Sequence, residues 1–177
     1  MCNFGKNSFT NYENTFGVIQ IVRDPRNIIT SILNYFNKKN YDKAKQFLFD
    51  EKKIIGINFA KIKQEKLKDN NIITLISSWK THYNSWKNFK KNHLLIKYED
   101  LVNEPNSEFG KIRHYLEAKL GFRFSDKKFN DAIESNSFLK LKKIENLKGF
   151  SENIITESKK KGNFFNLGPE NDYKKLL

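Results

Sequence analysis

The stretch IQIVRDPRNIITSIL, which contains Arg23, constrains the fold of this chain more than any other segment. The apolar, β-branched run over 18–22 is typical of a short buried strand. Asp24 and Pro25 then form a helix start, because Asp caps a first turn and Pro fixes a helical φ where no N–H partner is needed. Apolar residues at helical spacing follow, so the stretch predicts a strand that passes directly into a helix over about 25–37.

Further apolar patterns alternate between strand and helix along the chain. The segment HLLIKYEDL, 93–101, predicts a second short strand that leads into a loop. Periodic apolar positions and end signals predict helices over 41–69, over 72–89, from Pro105 to a C-terminal Gly121, after a capping Ser125, and over 139–147. Strands that alternate with helices predict an α/β protein with a parallel sheet flanked by helices.

A chain of 177 residues has room for one domain with a real core. We therefore treat residues 1–177 as a single domain with three parts. An irregular lead-in covers 1–16, an α/β body covers 17–158, and a loop-rich tail with one last short turn covers 159–177.

The formal net charge of +13 predicts a surface that attracts nucleic acid, anionic membranes or phosphorylated small molecules. The single cysteine excludes an internal disulfide framework and favours a reducing compartment. The sequence contains neither a run of 18 apolar residues nor a signal-peptide pattern at its start. Composition thus favours a soluble cytoplasmic protein without a transmembrane segment, and it does not choose among the anionic partners.

The turn after the first predicted strand has the chemistry of a phosphate site. Ligands of open parallel sheets lie beyond the carboxyl ends of the strands, and a helix that starts there offers free N–H groups to an anion. Arg23 adds a planar fork for two phosphate oxygens, and Ser31, two turns into the helix, adds a hydroxyl. In the alternative interpretation, Arg23 and Arg26 merely pair with carboxylates such as Asp24 or Glu99.

A strand, an Arg, a short turn, a helix and a Ser eight residues after the Arg resemble the 3′-phosphate-binding segment of the sulfotransferase family. Later segments resemble that family in the same order: ISSWKTHYNSWKNF with HLLIKYEDLVNEP, then ESNSFLKL, then GNFFNLGPENDYKKLL. The resemblance runs from about residue 17 to the end. It implies a three-layer, P-loop-like architecture and transfer of a sulfuryl group from 3′-phosphoadenosine 5′-phosphosulfate to a hydroxyl or amine, without a metal ion.

The resemblance also implies a donor site whose members contact the nucleotide. Arg23 and Ser31 would hold the 3′-phosphate, and Tyr98 would lie near the adenine. The remaining members would line the nucleotide or close over it: Asn136, Phe138 and Gly168, the last in the C-terminal loop.

Two catalytic parts of the family pattern are not found in this sequence. The family begins with a strand and a Lys-Ser/Gly-Gly-Thr phosphate loop, and its general base is a His about twenty residues before the arginine that aligns with Arg23. The three histidines, His82, His93 and His114, all lie downstream and are expected to be structural or exposed. We therefore expect a truncated chain with no catalytic residue, no activity of its own and exposed apolar strand edges.

The tail departs from the family as well. Asn166 and Leu167 stand where the family commonly has Arg and Lys, so two cations for the 3′-phosphate are absent. Charge-assisted bonds contribute roughly 1.5 to 3 kcal/mol each. Donor binding is expected to weaken unless Lys160, Lys161 or Lys174 substitutes.

Two other functions remain open from the sequence alone. One is a non-catalytic module that binds a phosphorylated nucleotide. The other, less favoured because no basic stripe or known motif appears, is a nucleic-acid-binding protein. The acceptor, a small molecule or a glycan, and the oligomeric state are not readable from the residues.

Overall fold

The computed structural model describes residues 3–4, 7–8, 13–35, 40–55, 74–87, 89, 92–150, 154–155 and 161–176. The helices are α1 (Pro25–Tyr35), α2 (Tyr41–Phe49), α3 (Trp79–Lys87), α4 (Tyr98–Asn103), α5 (Pro105–Leu120), α6 (Asp126–Ser135), α7 (Phe138–Lys148), a 3-10 turn (Gly168–Glu170) and α8 (Tyr173–Leu176). The strands are β1 (Asn3–Phe4), β2 (Asn7–Ser8), β3 (Val18–Val22), β4 (Ile54–Ile55), β5 (Thr74–Leu75), β6 (His93–Lys97), β7 (Ile154–Ile155) and β8 (Lys161–Gly162).

A parallel pair, β3 and β6, forms the centre of the architecture. Their register runs from Val18 opposite His93 to Val22 opposite Lys97. The other described strands pair only as two-residue antiparallel ladders, β1 with β2, β4 with β5 and β7 with β8. Helix α3 contacts β3 and helix α5 contacts β6. The α/β class with a helix-flanked parallel sheet is therefore confirmed.

The apolar face of α1 builds the main core against α2. Ile29 and Ile32 of α1 are buried with Ala44 and Leu48 of α2, and Trp79 at the start of α3 packs against this cluster. Fully burying an aliphatic side chain contributes about 1.5 to 3 kcal/mol. The helical spacing after Pro25 thus predicted the buried face of α1 correctly.

The two-stranded sheet leaves part of its apolar surface exposed. Ile21 on β3 is 52% exposed and Leu95 on β6 is 41% exposed, whereas the neighbouring Ile96 is 1% exposed. Successive strand residues point to opposite faces. Helix α3 lies against β3 and helix α5 against β6, and the side chains of Ile21 and Leu95 stay exposed beside these contacts. Apolar side chains of the sheet are thus exposed, while the expected truncation with exposed strand edges stays a prediction.

The helix predicted over 41–69 is confirmed over 41–49 and was wrong over 50–55. Helix α2 ends at Phe49, where Asp50 adopts an extended backbone and its carboxylate accepts from the Lys52 amide at 2.9 Å. Such an Asx turn competes with helix continuation. Ile54–Ile55 then forms a strand, and residues 56–73 lie outside the described residues.

The helix predicted from residue 72 begins later, at Trp79. Ser77 has a φ of +56°, which interrupts helical geometry. Ser78 then acts as the N-cap, since its hydroxyl accepts from the Thr81 amide at 3.1 Å. The strand predicted from residue 93 is confirmed over His93–Lys97. The loop predicted after it was wrong, because α4 starts at Tyr98 with two acidic residues in its first turn.

The later helices follow the sequence signals closely. Helix α5 begins at Pro105 and ends before Gly121, whose φ of +73° is the left-handed cap that the glycine predicts. Helix α6 follows Ser125, which occupies the N-cap position without a side-chain cap hydrogen bond. Helix α7 covers the predicted 139–147. In the part of the chain that the structure describes, no helix is both long and apolar enough to cross a membrane.

Candidate functional site

The parallel register brings the residues that follow β3 and β6 together at one edge of the sheet. Arg23 follows β3 and Tyr98 opens α4, and the guanidinium carbon lies 4.3 Å from the centroid of the tyrosine ring. Arg23 Nε is buried and has no hydrogen-bond partner within the described structure. Buried polar atoms are nearly always paired, so an orphaned guanidinium nitrogen at a strand end indicates a ligand site.

The carboxylates near Arg23 are engaged elsewhere. Arg26 donates to both oxygens of Asp24, at 2.9 Å from Nε and 2.6 Å from Nη2. That hydrogen bond holds the pKa of Asp24 below its ordinary value. Glu99 Oε1 accepts from the Asp24 amide at 2.9 Å and from Asn27 Nδ2 at 3.3 Å. The pairing alternative therefore holds for Arg26, and Arg23 pairs with neither of these carboxylates.

Two cavities, of about 280 and 260 Å³, both border Arg23. Both are lined by Arg23, Tyr98, Gly168 and Asn171. The larger cavity is completed mainly by α1 and the C-terminal loop: Ser31, Asn34, Phe138, Phe164, Phe165, Asn166 and Leu167. The smaller cavity is completed by the apolar Val102 and Pro169 and by polar residues of α1, α4 and the loop: Asn27, Glu99, Asn103 and Asp172.

The larger cavity gathers five of the six residues that the sequence predicted: Arg23, Ser31, Tyr98, Phe138 and Gly168. Asn136 lines neither cavity. It is exposed at the end of α6, where its amide donates to the Ala132 carbonyl at 2.8 Å. A contact between Asn136 and a nucleotide stays a prediction.

Gly168 lets the C-terminal loop approach α7 closely. Its φ is +51°, and a Cβ built there would lie 2.3 Å from ring atoms of Phe138. Phe138 also meets Phe165 edge to face, with ring centroids 6.1 Å apart. The loop and the first turn of α7 therefore form one aromatic wall of the larger cavity.

Sequence reasoning missed the amides that tie the loop to α1. Asn171 is buried and its Nδ2 donates to the Asn27 carbonyl at 2.9 Å. The Asn27 side-chain oxygen accepts from the Tyr173 amide at 2.9 Å, and Asn166 Nδ2 donates to Asn34 Oδ1 at 2.5 Å. The signal that could have found them is the polar series 27, 31 and 34, which falls on one face of α1.

Cations are scarce around the larger cavity. Arg23 is the only cationic side chain that lines it among the described residues. Lys142 lies nearby and donates from Nζ to the Asn166 carbonyl at 3.0 Å. Lys174 is exposed and lines neither cavity, Lys160 lies outside the described residues, and the side chain of Lys161 is not described.

The histidines lie away from both cavities. His82 is on the exposed side of α3, and His114 is exposed on α5. His93 Nε2 lies 3.0 Å from Gln20 Oε1 within the sheet. None of the three lines either cavity, so their expected structural or exposed positions are confirmed.

Comparisons with known proteins point to a single family. The family model described as a sulfotransferase domain matches residues 9–177. Among solved structures, the mouse sulfotransferase SULT7A1 complexed with PAP is similar, with a TM-score of 0.56 and 20% sequence identity. The match covers 91% of this chain and 52% of that chain, so this chain spans about half the length of that protein. No curated protein matches the sequence significantly.

Proposed function

The chain belongs to the sulfotransferase domain family, and we propose that its larger cavity binds the 3′-phosphoadenosine part of 3′-phosphoadenosine 5′-phosphosulfate. One observation carries the proposal. The guanidinium of Arg23 has a buried nitrogen without a described partner and lies at a cavity that also holds a hydroxyl and an aromatic wall. A guanidinium and a hydroxyl suit a phosphate, and an aromatic wall suits a purine ring.

In this proposal each lining residue has a role. Arg23 donates to the 3′-phosphate as a planar fork, and Ser31 adds a hydroxyl donor from the second turn of α1. The stack of Arg23 on Tyr98 fixes the guanidinium plane. Phe138 supplies an apolar surface beside the nucleotide, and Gly168 lets the C-terminal loop lie against that ring.

The reaction belongs to the proposal for the whole protein, because this chain spans half of the solved sulfotransferase. An acceptor oxygen or nitrogen would form a bond to sulfur while the bond from sulfur to the 5′-phosphate oxygen breaks. Adenosine 3′,5′-bisphosphate would leave, and the acceptor proton would pass to a base. No histidine lines either of the two cavities at Arg23, so we expect no turnover from this chain alone.

The position of the histidines also favours a second candidate function, nucleotide binding without chemistry. In that case the cavity would bind adenosine 3′,5′-bisphosphate, and the chain would never consume the sulfated donor. A turnover assay with the intact donor and a set of hydroxyl and amine acceptors tests this second function. Measurable turnover would exclude binding without chemistry.

Calorimetry tests the binding proposal directly. We expect adenosine 3′,5′-bisphosphate to bind the full chain, and Arg23→Met to weaken it about a hundredfold, because charge-assisted bonds to the phosphate are lost. Methionine keeps an apolar stem over Tyr98. The matched control is Arg26→Met, since Arg26 pairs with Asp24 and lines neither cavity.

A second ligand isolates the 3′-phosphate. Adenosine 5′-monophosphate lacks that group, so its affinity should change little in Arg23→Met. Absence of binding heat at millimolar bisphosphate, or equal affinity of the wild type and Arg23→Met, would overturn the proposal.

A further inference from the structure

Glu145 is a buried carboxylate on α7 that lines neither cavity. Only 4% of the Glu145 surface is exposed to solvent. Both of its oxygens accept from consecutive backbone amides of the C-terminal loop: Oε1 from Phe164 at 2.6 Å and Oε2 from Phe165 at 2.9 Å. Charged acceptors make hydrogen bonds about twice as strong as neutral ones.

These two bonds fix the backbone of the aromatic wall. Phe164 and Phe165 both line the larger cavity, and their rings meet at 5.1 Å between centroids. Phe165 also meets Phe138, so the orientation of the loop peptides determines where three rings stand. A carboxylate that holds two adjacent amides restricts rotation of the peptide between them.

Other contacts of this part of the loop involve its own backbone and its side chains, and the Asn166 amide donates to the Phe164 carbonyl at 3.0 Å. The last described ladder residue of the loop is Gly162. Beyond it, side-chain bonds also join the loop to the helices: Asn163 Nδ2 donates to Asn146 Oδ1 on α7 at 2.8 Å, Asn166 bonds to Asn34 on α1, and Lys142 donates to the Asn166 carbonyl. The Glu145 bonds are thus the described attachment of the loop backbone to α7 before Asn166.

We propose that Glu145 is a positioning residue of the nucleotide site, which sets the C-terminal loop in a closed shape before any ligand binds. This inference rests on the proposed function, because it assigns the preformed wall to nucleotide binding. A preformed wall lowers the ordering cost of binding, so loss of the carboxylate should appear as weaker affinity.

Glu145→Gln tests the role with almost no change in volume. Glutamine keeps one acceptor oxygen and turns an NH₂ donor toward the second amide, so one bond is replaced by a contact between two donors. We expect affinity for adenosine 3′,5′-bisphosphate to fall about tenfold. Glu134→Gln on α6 is the control, because its carboxylate is exposed and pairs with Lys140.

Hydrogen exchange supplies the readout that a general loss of stability would not produce. In the ligand-free variant, the amides of Phe164 and Phe165 should exchange at least tenfold faster, while amides in the middle of α7 keep their protection. Bound nucleotide should restore protection at both positions, because the closed loop is then held from the cavity side.

Unchanged exchange at both amides in Glu145→Gln would overturn the inference. Faster exchange with unchanged nucleotide affinity would overturn it as well, since the loop would then be held without consequence for the site. If the wild type binds no nucleotide, the proposed function fails, and exchange in the ligand-free chain still reports separately whether Glu145 holds the loop.

Discussion

The cavity region and the two-stranded sheet of this protein are held together by different kinds of contact. Around the cavities, polar side chains join segments far apart in the sequence, as between Asn27 and Tyr173 or between Asp24 and Glu99. In the sheet, a five-residue parallel ladder joins β3 to β6, and apolar side chains such as Ile21 remain exposed.

This difference predicts that ligand affinity and folding stability depend on different residues. Directional hydrogen bonds fix the position of groups that face a ligand, and each contributes only about 0.5 to 1.5 kcal/mol to folding. Burial of apolar surface stabilises more but specifies position less. Substitutions at the cavity should therefore act mainly on affinity, and substitutions in the sheet should act on stability only where a side chain is covered.

The largest effect is expected inside the sheet. Ile96→Ala should lower the free energy of unfolding by about 3 kcal/mol, because the side chain is 1% exposed and leaves a cavity behind. Leu95→Ala, one position away and 41% exposed, is the matched control and should cost less than about 1 kcal/mol. Denaturant titration measures both. Equal losses would mean that the exposed half of the sheet is covered in solution.

A smaller effect is expected at the C-terminal loop, where a substitution should change the affinity for the nucleotide. Gly168→Ala places a methyl group against the Phe138 ring at a positive φ, so the ring must move out of the cavity wall. We expect about tenfold weaker binding of adenosine 3′,5′-bisphosphate.

The control for Gly168→Ala is Gly110→Ala in α5. A Cβ at Gly110 meets nothing within 4 Å, and Ala is the better helix former by about 1 kcal/mol. Gly110→Ala should raise the melting temperature slightly and leave affinity unchanged. Unaltered binding in Gly168→Ala would show that the Phe138 ring does not shape the site.

The smallest expected effect is a pH dependence from Asp24. Its pKa is lowered in the folded chain, chiefly by the hydrogen bond from Arg26, so the pair stabilises the fold above the ordinary Asp value of 3.8. That stabilisation is lost as the pH falls through the folded pKa. The pair is partly exposed, which makes the effect weaker than either substitution above.

Unfolding measured against pH checks the Asp24 prediction. Wild type should exceed Asp24→Asn in free energy of unfolding near neutral pH, and the gap should narrow below about pH 4. A gap that stays constant down to pH 2 would contradict the assigned cause.

The sequence predicted the elements whose signals are local. The transition from β3 through Asp24 and Pro25 into α1, and the ends of α5 at Pro105 and Gly121, follow from backbone preferences of single residues. The positions of Arg23 and Ser31 follow as well, because a strand end and a helix face fix them.

What the sequence did not predict depends on distant partners. Asn171 and Glu145 look like ordinary surface residues in the sequence, and their burial follows from the path of the loop over α1 and α7. The strand at Ile54–Ile55 pairs with Thr74–Leu75, which lies well beyond it in the sequence. Apolar periodicity alone carries no information about such pairings.

Gln20 gives the sheet a means of alignment. This buried amide donates to the Tyr83 carbonyl at 3.2 Å and its oxygen meets His93 at 3.0 Å, so one strand is pinned to the other and to α3. Sliding β3 by one residue would turn this amide to the opposite face and carry Arg23 about 3.3 Å past Tyr98. Gln20 thus helps to set the distance between Arg23 and Tyr98, the two side chains at the proposed phosphate site.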